Sequence, residues 1–185
     1  MIFEEKTLAS ERIYEGKILN LRRDKVSVKG GNTSYREIVE HNGGVVIAAL
    51  TSDGKVPMVT QYRKAAGRSV LEIPAGKLEA GEDPEAAALR ELREETGYTA
   101  ARLRRLTAAY SSIGYSTEVL HFYLATELTS GETDFDENEA IDVSEYPLDE
   151  LYRMAMAGEL DDAKTIVAVL MLRDLFLSAK AEESR

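Results

Sequence analysis

The sequence contains no cysteine and only two histidines among its 185 residues. Disulfide bonds, thiolate zinc sites and a catalytic thiol are therefore excluded. His41 and His121 lie far apart in the chain, and a single histidine in an apolar strand is more often a structural residue than a metal ligand. Carboxylates are the only plentiful ligands, which favours a hard cation such as Mg²⁺ or Mn²⁺ over zinc.

Long apolar runs are also lacking. The longest, residues 45–50 and 166–172, are far shorter than the ~20 residues that a membrane span needs. The first residues, MIFEEKT, are acidic and have no signal-peptide apolar region. The formal net charge of -10 argues against binding to nucleic acid or to an acidic membrane surface. These features predict a cytoplasmic protein with neither a membrane nor a nucleic acid as partner.

The chain is long enough for one compact domain and a small additional region, and its hydrophobic content of 44% supports a core. Residues 1–42 predict polar strands at 3–9, 18–28 and 34–40, with a turn at Gly30-Gly31-Asn32. This region has too few large apolar residues to fold alone. We therefore divide the chain into an N-terminal strand region, 1–42, and a main domain, 43–185.

The main domain mixes strands and helices. Residues 45–50 and 56–62 predict a hairpin in the core, and later strands are predicted at 102–110, 119–126 and 141–146. One helix opens at Pro147 and ends at Gly158, and a last helix opens at Asp161 or Asp162 and runs to about residue 179. The pattern predicts an α+β fold with mixed sheets and helices on the outside.

The segment from Gly76 to Tyr98, GKLEAGEDPEAAALRELREETGY, is the most informative part of the chain. Asp83 suits a helix N-cap, Pro84 the first helical position and Gly97 the residue beyond the helix end. The helix 84–96 is predicted to have one acidic face and one buried face. The acidic face carries Glu91, Glu94 and Glu95, and the buried face carries Ala86, Leu89, Leu92 and Thr96.

One explanation of these acids is a solvated face with surface ion pairs. Their position argues against it, because Glu94 and Glu95 lie in the last helical turn, where the helix dipole favours cations by ~0.3–1 kcal/mol. Acids clustered there indicate a bound cation. A polyphosphate substrate would also need cations and arginines to offset the negative charge of the chain.

The pattern G-x5-E-x7-R-E-U-x-E-E-x-G-U, in which U is aliphatic, fits this segment at every position except Tyr98. It resembles the Nudix box. The resemblance implies the Nudix fold, in which mixed β-sheets are sandwiched between α-helices, and metal-dependent hydrolysis of a diphosphate bond. The matching residues are Gly76, Glu82, Arg90, Glu91, Leu92, Glu94, Glu95 and Gly97.

Glu91 and Glu95, one turn apart on the helix, are the primary metal-ligand candidates. Glu82 is a further ligand candidate. Glu94 is a candidate catalytic residue, with a place among the metal ligands as the alternative. The resemblance implies that the carbonyl of Ala75 joins the coordination and that Arg90 organises the glutamates. The alternative for Arg90 is an ordinary surface pair.

Residues 136–139, DENE, form a second acidic group in the predicted loop 129–139. Most such loops are merely solvated. This one resembles the loop that carries the general base and a further ligand in ADP-ribose pyrophosphatases. On that resemblance Glu137 is the candidate base and Glu139 a candidate metal ligand.

The resemblance to ADP-ribose pyrophosphatases also covers residues 13–17, 35–39, 61–63 and 71–77. It implies that Tyr14 stacks on adenine, that Arg36 and Glu37 contact the nucleotide, and that Arg63 holds a phosphate. For Tyr14, an ordinary strand aromatic is an equal alternative. Members of the family are usually homodimers that exchange an N-terminal strand region, which would explain residues 1–42.

One position departs from the family pattern. Ile113 stands where ADP-ribose hydrolases usually have proline, although Glu118 keeps the acidic residue of this loop as a substrate-binding candidate. The leading hypothesis is Mg²⁺-dependent hydrolysis of ADP-ribose to AMP and ribose 5-phosphate. The alternatives are a hydrolase of another nucleoside diphosphate sugar and a non-catalytic ligand sensor. The sequence leaves open the number of metal ions and the phosphorus that is attacked.

Overall fold

The structure is a computed structural model that describes residues 2–133 and 141–183. Within these residues the elements in chain order are β1 (Thr7–Glu15), β2 (Asn20–Ser27), β3 (Thr33–Glu40), β4 (Gly44–Ala49), β5 (Lys55–Arg63), β6 (Arg68–Glu72), β7 (Ala75–Lys77), α1 (Pro84–Thr96), β8 (Tyr98–Tyr110), β9 (Val119–Ser130), β10 (Ile141–Pro147), α2 (Leu148–Ala157) and α3 (Ala163–Glu183). No helix among them is long and apolar enough to span a membrane.

The chain forms two compact units. The first combines Met1–Gly43 with Ala109–Val119, and the second combines Gly44–Ala108 with Leu120–Arg185. In the first unit β1, β2 and β3 form an antiparallel sheet in that order. Gly30 and Gly31 turn the chain between β2 and β3 with φ of 90° and 81°, which favours glycine.

The predicted first strand was wrong in its bounds, because β1 covers Thr7–Glu15 instead of residues 3–9. Every residue of β1 is exposed, and backbone pairing with β2 fixes the strand without burying an apolar face. Its sequence therefore shows little of the alternation of apolar and polar residues that predicts a half-buried strand. The strands predicted at 18–28 and 34–40 are confirmed as β2 and β3.

The second unit contains a three-stranded sheet in the order β10-β5-β6 and a four-stranded sheet in the order β7-β4-β9-β8. The four-stranded sheet is mixed, since β4 is parallel to β9 and antiparallel to β7. The predicted hairpin of β4 with β5 was wrong, because the two strands lie in different sheets. Both are buried as expected, but an apolar run does not specify which strands are its neighbours.

β4 is buried on both faces, and its side chains alternate between two cores. Val46 and Ala48 pack in a cluster with residues of α2 and α3. Val45, Ile47 and Ala49 pack in a second cluster with residues of α1. The mixed sheet therefore lies between helices, which confirms the predicted α+β sandwich.

Helix α1 begins and ends at the predicted residues. The side chain of Asp83 accepts a hydrogen bond from the backbone of Ala86, and Gly97 ends the helix with φ of 74°. The predicted buried face was partly wrong, because Ala86 and Leu89 are exposed whereas Ala87, Ala88 and Glu95 are buried. The small alanines pack in a core cluster with residues of β4. Glu95 is buried with them because it lies about two turns after Ala88, on the same face of the helix.

The two C-terminal helices also follow their sequence signals. Gly158 ends α2 with φ of 74°, and the carboxylate of Asp162 accepts the backbone N–H of Thr165 at 3.1 Å at the start of α3. These contacts confirm the predicted end of α2 and favour Asp162 over Asp161 as the cap. The start of α3 therefore lies beside β6, because the Thr165 hydroxyl also accepts the N–H of Ile73 at 2.8 Å.

Candidate active site

The last turn of α1 is joined to β7 by one buried contact. The backbone N–H of Ala75 donates to Oε2 of Glu95 at 2.9 Å, and Glu95 is only 6% exposed. Glu95 was predicted on the acidic face of the helix, opposite the buried face, and its burial shows that this placement was wrong. A buried carboxylate needs compensating partners, and the Ala75 N–H supplies one of them. This contact brings two of the predicted ligand positions together.

Arg90 lies at the centre of three of the predicted acidic residues. Its Nε donates to Glu82 at 3.0 Å, and its Nη1 donates to Glu91 at 2.8 Å and to Glu94 at 2.9 Å. The hydrogen bond to Glu82 is the main cause of the raised pKa of Arg90. The same bond holds the pKa of Glu82 below its ordinary value. The structure therefore gathers these three carboxylates around one guanidinium.

Gly76 is packed beneath Glu91. A Cβ built on Gly76 would lie 1.8 Å from Cδ of Glu91 and 2.0 Å from its Oε1. The Glu91 side chain therefore occupies the space that any larger residue at this position would take. The requirement for glycine at the first box position follows from this close approach.

The donor set fits a hard divalent cation. Glu82, Glu91, Glu94 and Glu95 supply carboxylate oxygens, and Ala75 lies within hydrogen-bonding distance of Glu95. Mg²⁺ and Mn²⁺ prefer oxygen ligands of this kind. No three acidic or histidine side chains among the described residues are arranged as a ready metal site. Carboxylates that now bind Arg90 would therefore have to turn toward a cation.

Arg63, at the end of β5, is held by a carboxylate from the neighbouring strand. Its Nε and Nη2 donate to the two oxygens of Glu72 at 2.6 and 2.7 Å. Burial alone would raise the pKa of Glu72, but hydrogen bonds from Arg63 and the charge of Lys164 outweigh it and hold the pKa below its ordinary value. Glu72 and Lys164 were not predicted as site residues. The signal was a glutamate between Leu71 and Ile73 in an apolar stretch.

The other predicted substrate contacts lie in the first unit. The ring of Tyr14 is largely exposed and packs over the backbone of Gly16, where a Cβ would lie 2.6 Å from the ring. Arg36 donates to Glu5 at 2.9 Å. Arg36 and Glu37 are neighbours on β3, so their side chains leave opposite faces of the sheet. The strand does not bring these two residues together on one face.

The loop that contains Ile113 is fixed to the end of β3. The N–H of Val39 donates to the carbonyl of Tyr115 at 2.8 Å, and the N–H of Thr117 donates to the carbonyl of Val39 at 2.9 Å. Glu118 lies beside His41, with 3.3 Å between Oε1 and Nδ1. Ile113 itself is 80% exposed. These bonds order the loop without the proline that the family pattern has.

Tyr98, the loosely matching box position, has a specific role. Its hydroxyl donates a hydrogen bond to Glu145 of β10, and this bond raises the pKa of Tyr98. An aliphatic residue has no group that makes this bond. Glu137 and Glu139, the candidate base and the remaining candidate ligand, lie outside the described residues.

Comparison with known proteins identifies the family. The model described as "NUDIX domain" matches residues 40–169, and that described as "Nucleoside diphosphate sugar hydrolase N-terminal domain" matches residues 5–39. The chain therefore belongs to the NUDIX family and is a Nudix pyrophosphohydrolase, as its box predicts. Nudix hydrolases generally need a divalent metal, and the N-terminal match indicates a small nucleoside diphosphate sugar as substrate.

Individual relatives cover nearly the whole chain. An ADP-ribose pyrophosphatase from Bacillus subtilis is 46% identical over 92% of this chain and 93% of its own length. A methanol dehydrogenase activator from Bacillus methanolicus is 44% identical over 93% and 94%. A crystal structure of an ADP compounds hydrolase covers 97% of both chains with a TM-score of 0.85 and 19% identity. That structural likeness confirms the fold.

Proposed function

We propose that the protein hydrolyses the diphosphate bond of ADP-ribose, giving AMP and ribose 5-phosphate. The observation that carries this proposal is the cluster of Glu82, Glu91 and Glu94 around Arg90, next to the buried contact of Glu95 with Ala75. Substantial identity to an ADP-ribose pyrophosphatase over almost the whole chain supports the substrate. Mg²⁺ is the proposed cofactor, and Mn²⁺ is expected to replace it.

The box residues would hold the cation. Glu91, Glu95, Glu82 and the carbonyl of Ala75 are the proposed ligands, with Glu139 from the loop. When bound, the cation neutralises charge that develops on the phosphoryl oxygens and lowers the pKa of a water. Arg90 keeps Glu82, Glu91 and Glu94 close together, so that the site is organised before the substrate arrives.

Water is the nucleophile in the proposed reaction. A new oxygen–phosphorus bond forms at one of the two phosphorus atoms, and the bond from that phosphorus to the bridging oxygen breaks. Glu137 is the proposed base that takes the proton from the water. Glu94 is proposed as a further catalytic residue of this site. The electron pair of the broken bond stays on the leaving phosphate.

Side chains away from the box would bind the rest of the substrate. Arg63 is proposed to hold a phosphate, because a guanidinium matches phosphate oxygens in shape and charge. Tyr14 is proposed to stack on the base, since its ring is exposed. Arg36, Glu37 and Glu118 are proposed to contact the nucleotide or its sugar.

A homodimer is also proposed, with residues 1–42 at the interface. The support is the sheet of the first unit, where β1 exposes all of its side chains and Leu8, Ile13 and Tyr14 leave apolar surface uncovered. Sedimentation analysis of the full chain tests this proposal, which fails if the protein sediments as a monomer at micromolar concentration. Cytoplasmic location stays a prediction.

Ile113 favours a second candidate within the same chemistry. A residue other than proline in this loop changes the surface that meets the sugar, so another nucleoside diphosphate sugar is the alternative substrate. The N-terminal match to nucleoside diphosphate sugar hydrolases is compatible with it. One relative is named as an activator. The same assay also tests for a ligand sensor, which would bind the substrate without turnover.

A substrate panel tests the proposal. The protein is incubated with ADP-ribose, GDP-mannose and UDP-glucose in Mg²⁺, in Mn²⁺ and in chelator, and the products are read by mass. AMP and ribose 5-phosphate as the fastest products, formed only with metal, support it. Faster cleavage of another sugar supports the alternative. Binding without turnover indicates a sensor, and equal rates in chelator exclude the metal assignment.

A further inference from the structure

A network of four charged side chains joins the end of β5, the end of β6 and the start of α3. Glu72 accepts two hydrogen bonds from Arg63, at 2.6 and 2.7 Å, and one from Nζ of Lys164 at 2.5 Å. Lys164 also donates to Asp162 at 2.8 Å, and Asp162 caps α3. Glu72 is therefore the centre of the network.

Burial differs sharply across this network. The side chains of Glu72 and Lys164 are 3% and 14% exposed, whereas that of Arg63 is 43% exposed. Removing charges from water is costly, and a buried ion pair is often no more stabilising than apolar residues of similar size. Stability is therefore a weak explanation for burying Glu72 and Lys164 beside Arg63.

A neutral contact also holds α3 against the sheet. The hydroxyl of Thr165 already accepts the N–H of Ile73 at 2.8 Å, and Thr165 and Ile73 are both fully buried. This neutral contact joins the segment after β6 to the same turn of α3. Attachment of the helix is therefore a weak explanation of the charged network as well.

The orientation of Arg63 supplies another explanation. Glu72 binds the Nε and Nη2 edge of the guanidinium. Among residues 2–133 and 141–183, Nη1 has no hydrogen-bond partner. The charge of Glu95, a proposed metal ligand, contributes to the raised pKa of Arg63. The exposed end of Arg63 therefore lies within electrostatic range of the box.

We propose that Glu72 and Lys164 are positioning residues that hold the Arg63 guanidinium with its Nη1 edge presented to the diphosphate. Glu72 fixes the plane of the guanidinium through two hydrogen bonds. Because Lys164 also donates to Glu72, the negative charge of this carboxylate is divided between two cations and is not matched by Arg63 alone. This inference rests on the proposed function, in which Arg63 holds a phosphate.

Steady-state kinetics with ADP-ribose and Mg²⁺ test the inference. Glu72→Gln is expected to raise KM about tenfold, the loss expected when a charged hydrogen bond is weakened, and to leave kcat within about twofold. Such a split indicates lost binding rather than lost chemistry. In an Arg63→Met background the same substitution is expected to change KM by less than about twofold, because residues that act through one another are not additive.

The matched control is Asp161→Asn. Asp161 pairs with Arg68 at 2.6 Å on the surface and so joins the same two elements, β6 and the segment before α3, without touching Arg63. Its KM is expected to match that of the unaltered protein. Lys164→Met is the second variant if Glu72→Gln does not fold, and a KM increase of about threefold is expected for it.

Calorimetric binding of ADP-ribose in chelator separates this inference from the proposed function, because the proposed reaction does not run without metal. Weaker binding by Glu72→Gln and Lys164→Met, with normal binding by Asp161→Asn, supports the positioning role even if the protein cleaves another substrate. Unchanged binding by both variants overturns it. A full tenfold effect of Glu72→Gln in the Arg63→Met background overturns it as well.

Discussion

The carboxylate of Glu91 lies where a side chain on Gly76 would begin, since a Cβ there would be 1.8 Å from Cδ of Glu91. Gly76→Ala must therefore displace Glu91, whose carboxylate is the mobile end of a long side chain. We expect turnover to fall at least about tenfold, because a misplaced active-site group costs one to two orders of magnitude. Initial rates with ADP-ribose and Mg²⁺ measure the effect.

Stability distinguishes this explanation of Gly76 from a folding defect. A flexible side chain can move, so the unfolding midpoint of Gly76→Ala is expected to stay within a few degrees of the original. Higher Mg²⁺ is expected to restore part of the rate if the displaced Glu91 is a ligand. A fully active Gly76→Ala protein would remove the basis for placing Glu91 at the metal.

Glu95→Gln tests the most buried of the candidate ligands. The amide oxygen of glutamine can still accept the N–H of Ala75, so the junction of α1 with β7 is kept while one charge is lost. We expect turnover to fall at least about 100-fold, because the loss of a group that only supports a metal ligand already costs about 10- to 100-fold. Activity is measured across a Mg²⁺ titration.

Glu85→Gln is the matched control for Glu95→Gln. Glu85 lies in the first turn of the same helix and is exposed, so the substitution removes the same charge away from the cluster. Its rate is expected to remain within twofold. Equal losses in the two variants would mean that the net charge of the helix, and not a ligand at Glu95, controls the rate.

Local signals in the sequence predicted the framework of the site. Asp83 and Gly97 mark the ends of α1 because capping depends on residues within one turn, and both caps are observed. Gly158 and Asp162 set the helix ends in the C-terminal part for the same reason. These local rules were enough to place Arg90 and the acids of the box on one helix.

Features that depend on tertiary packing were not predictable in the same way. Glu95 is buried because Ala87 and Ala88, on the same side of α1, pack against β4, and the helix sequence does not specify this packing. The pairing of β4 with β9 joins residues far apart in the chain. Glu72 accepts a hydrogen bond from Lys164, which lies ninety-two positions away.

Glu137→Gln tests the general base. Because a base takes a proton and need not bind the metal, turnover is expected to fall about 10²–10⁴-fold with nearly unchanged Mg²⁺ affinity. Glu139→Gln is expected to weaken Mg²⁺ affinity instead, since Glu139 is a proposed ligand. Glu132→Gln is the control, because Glu132 is an exposed residue in the earlier part of the same predicted loop, 129–139. An unchanged rate in Glu137→Gln would assign the base to another residue.

Ile113→Pro tests whether this position affects substrate choice. Ile113 is exposed, and the loop is already held by the bonds between Val39, Tyr115 and Thr117, so proline is expected to change stability by no more than about 1 kcal/mol. We expect the ratio of kcat/KM for ADP-ribose to that for GDP-mannose to rise several-fold. An unchanged ratio would show that Ile113 does not govern the choice between these sugars.

The lowered pKa of Glu72 predicts a pH dependence of stability. Burial acts to raise this pKa, but Arg63 and Lys164 lower it below the unfolded value of about 4.3. The stabilisation is therefore complete above that pH and is lost as the pH falls through the folded pKa. The difference in free energy of unfolding between the original protein and Glu72→Gln, from urea titrations at pH 3 to 7, is expected to be constant above about pH 5 and to shrink below about pH 4. A difference that grows on acidification would mean that Glu72 is not stabilised in its charged form by these two cations.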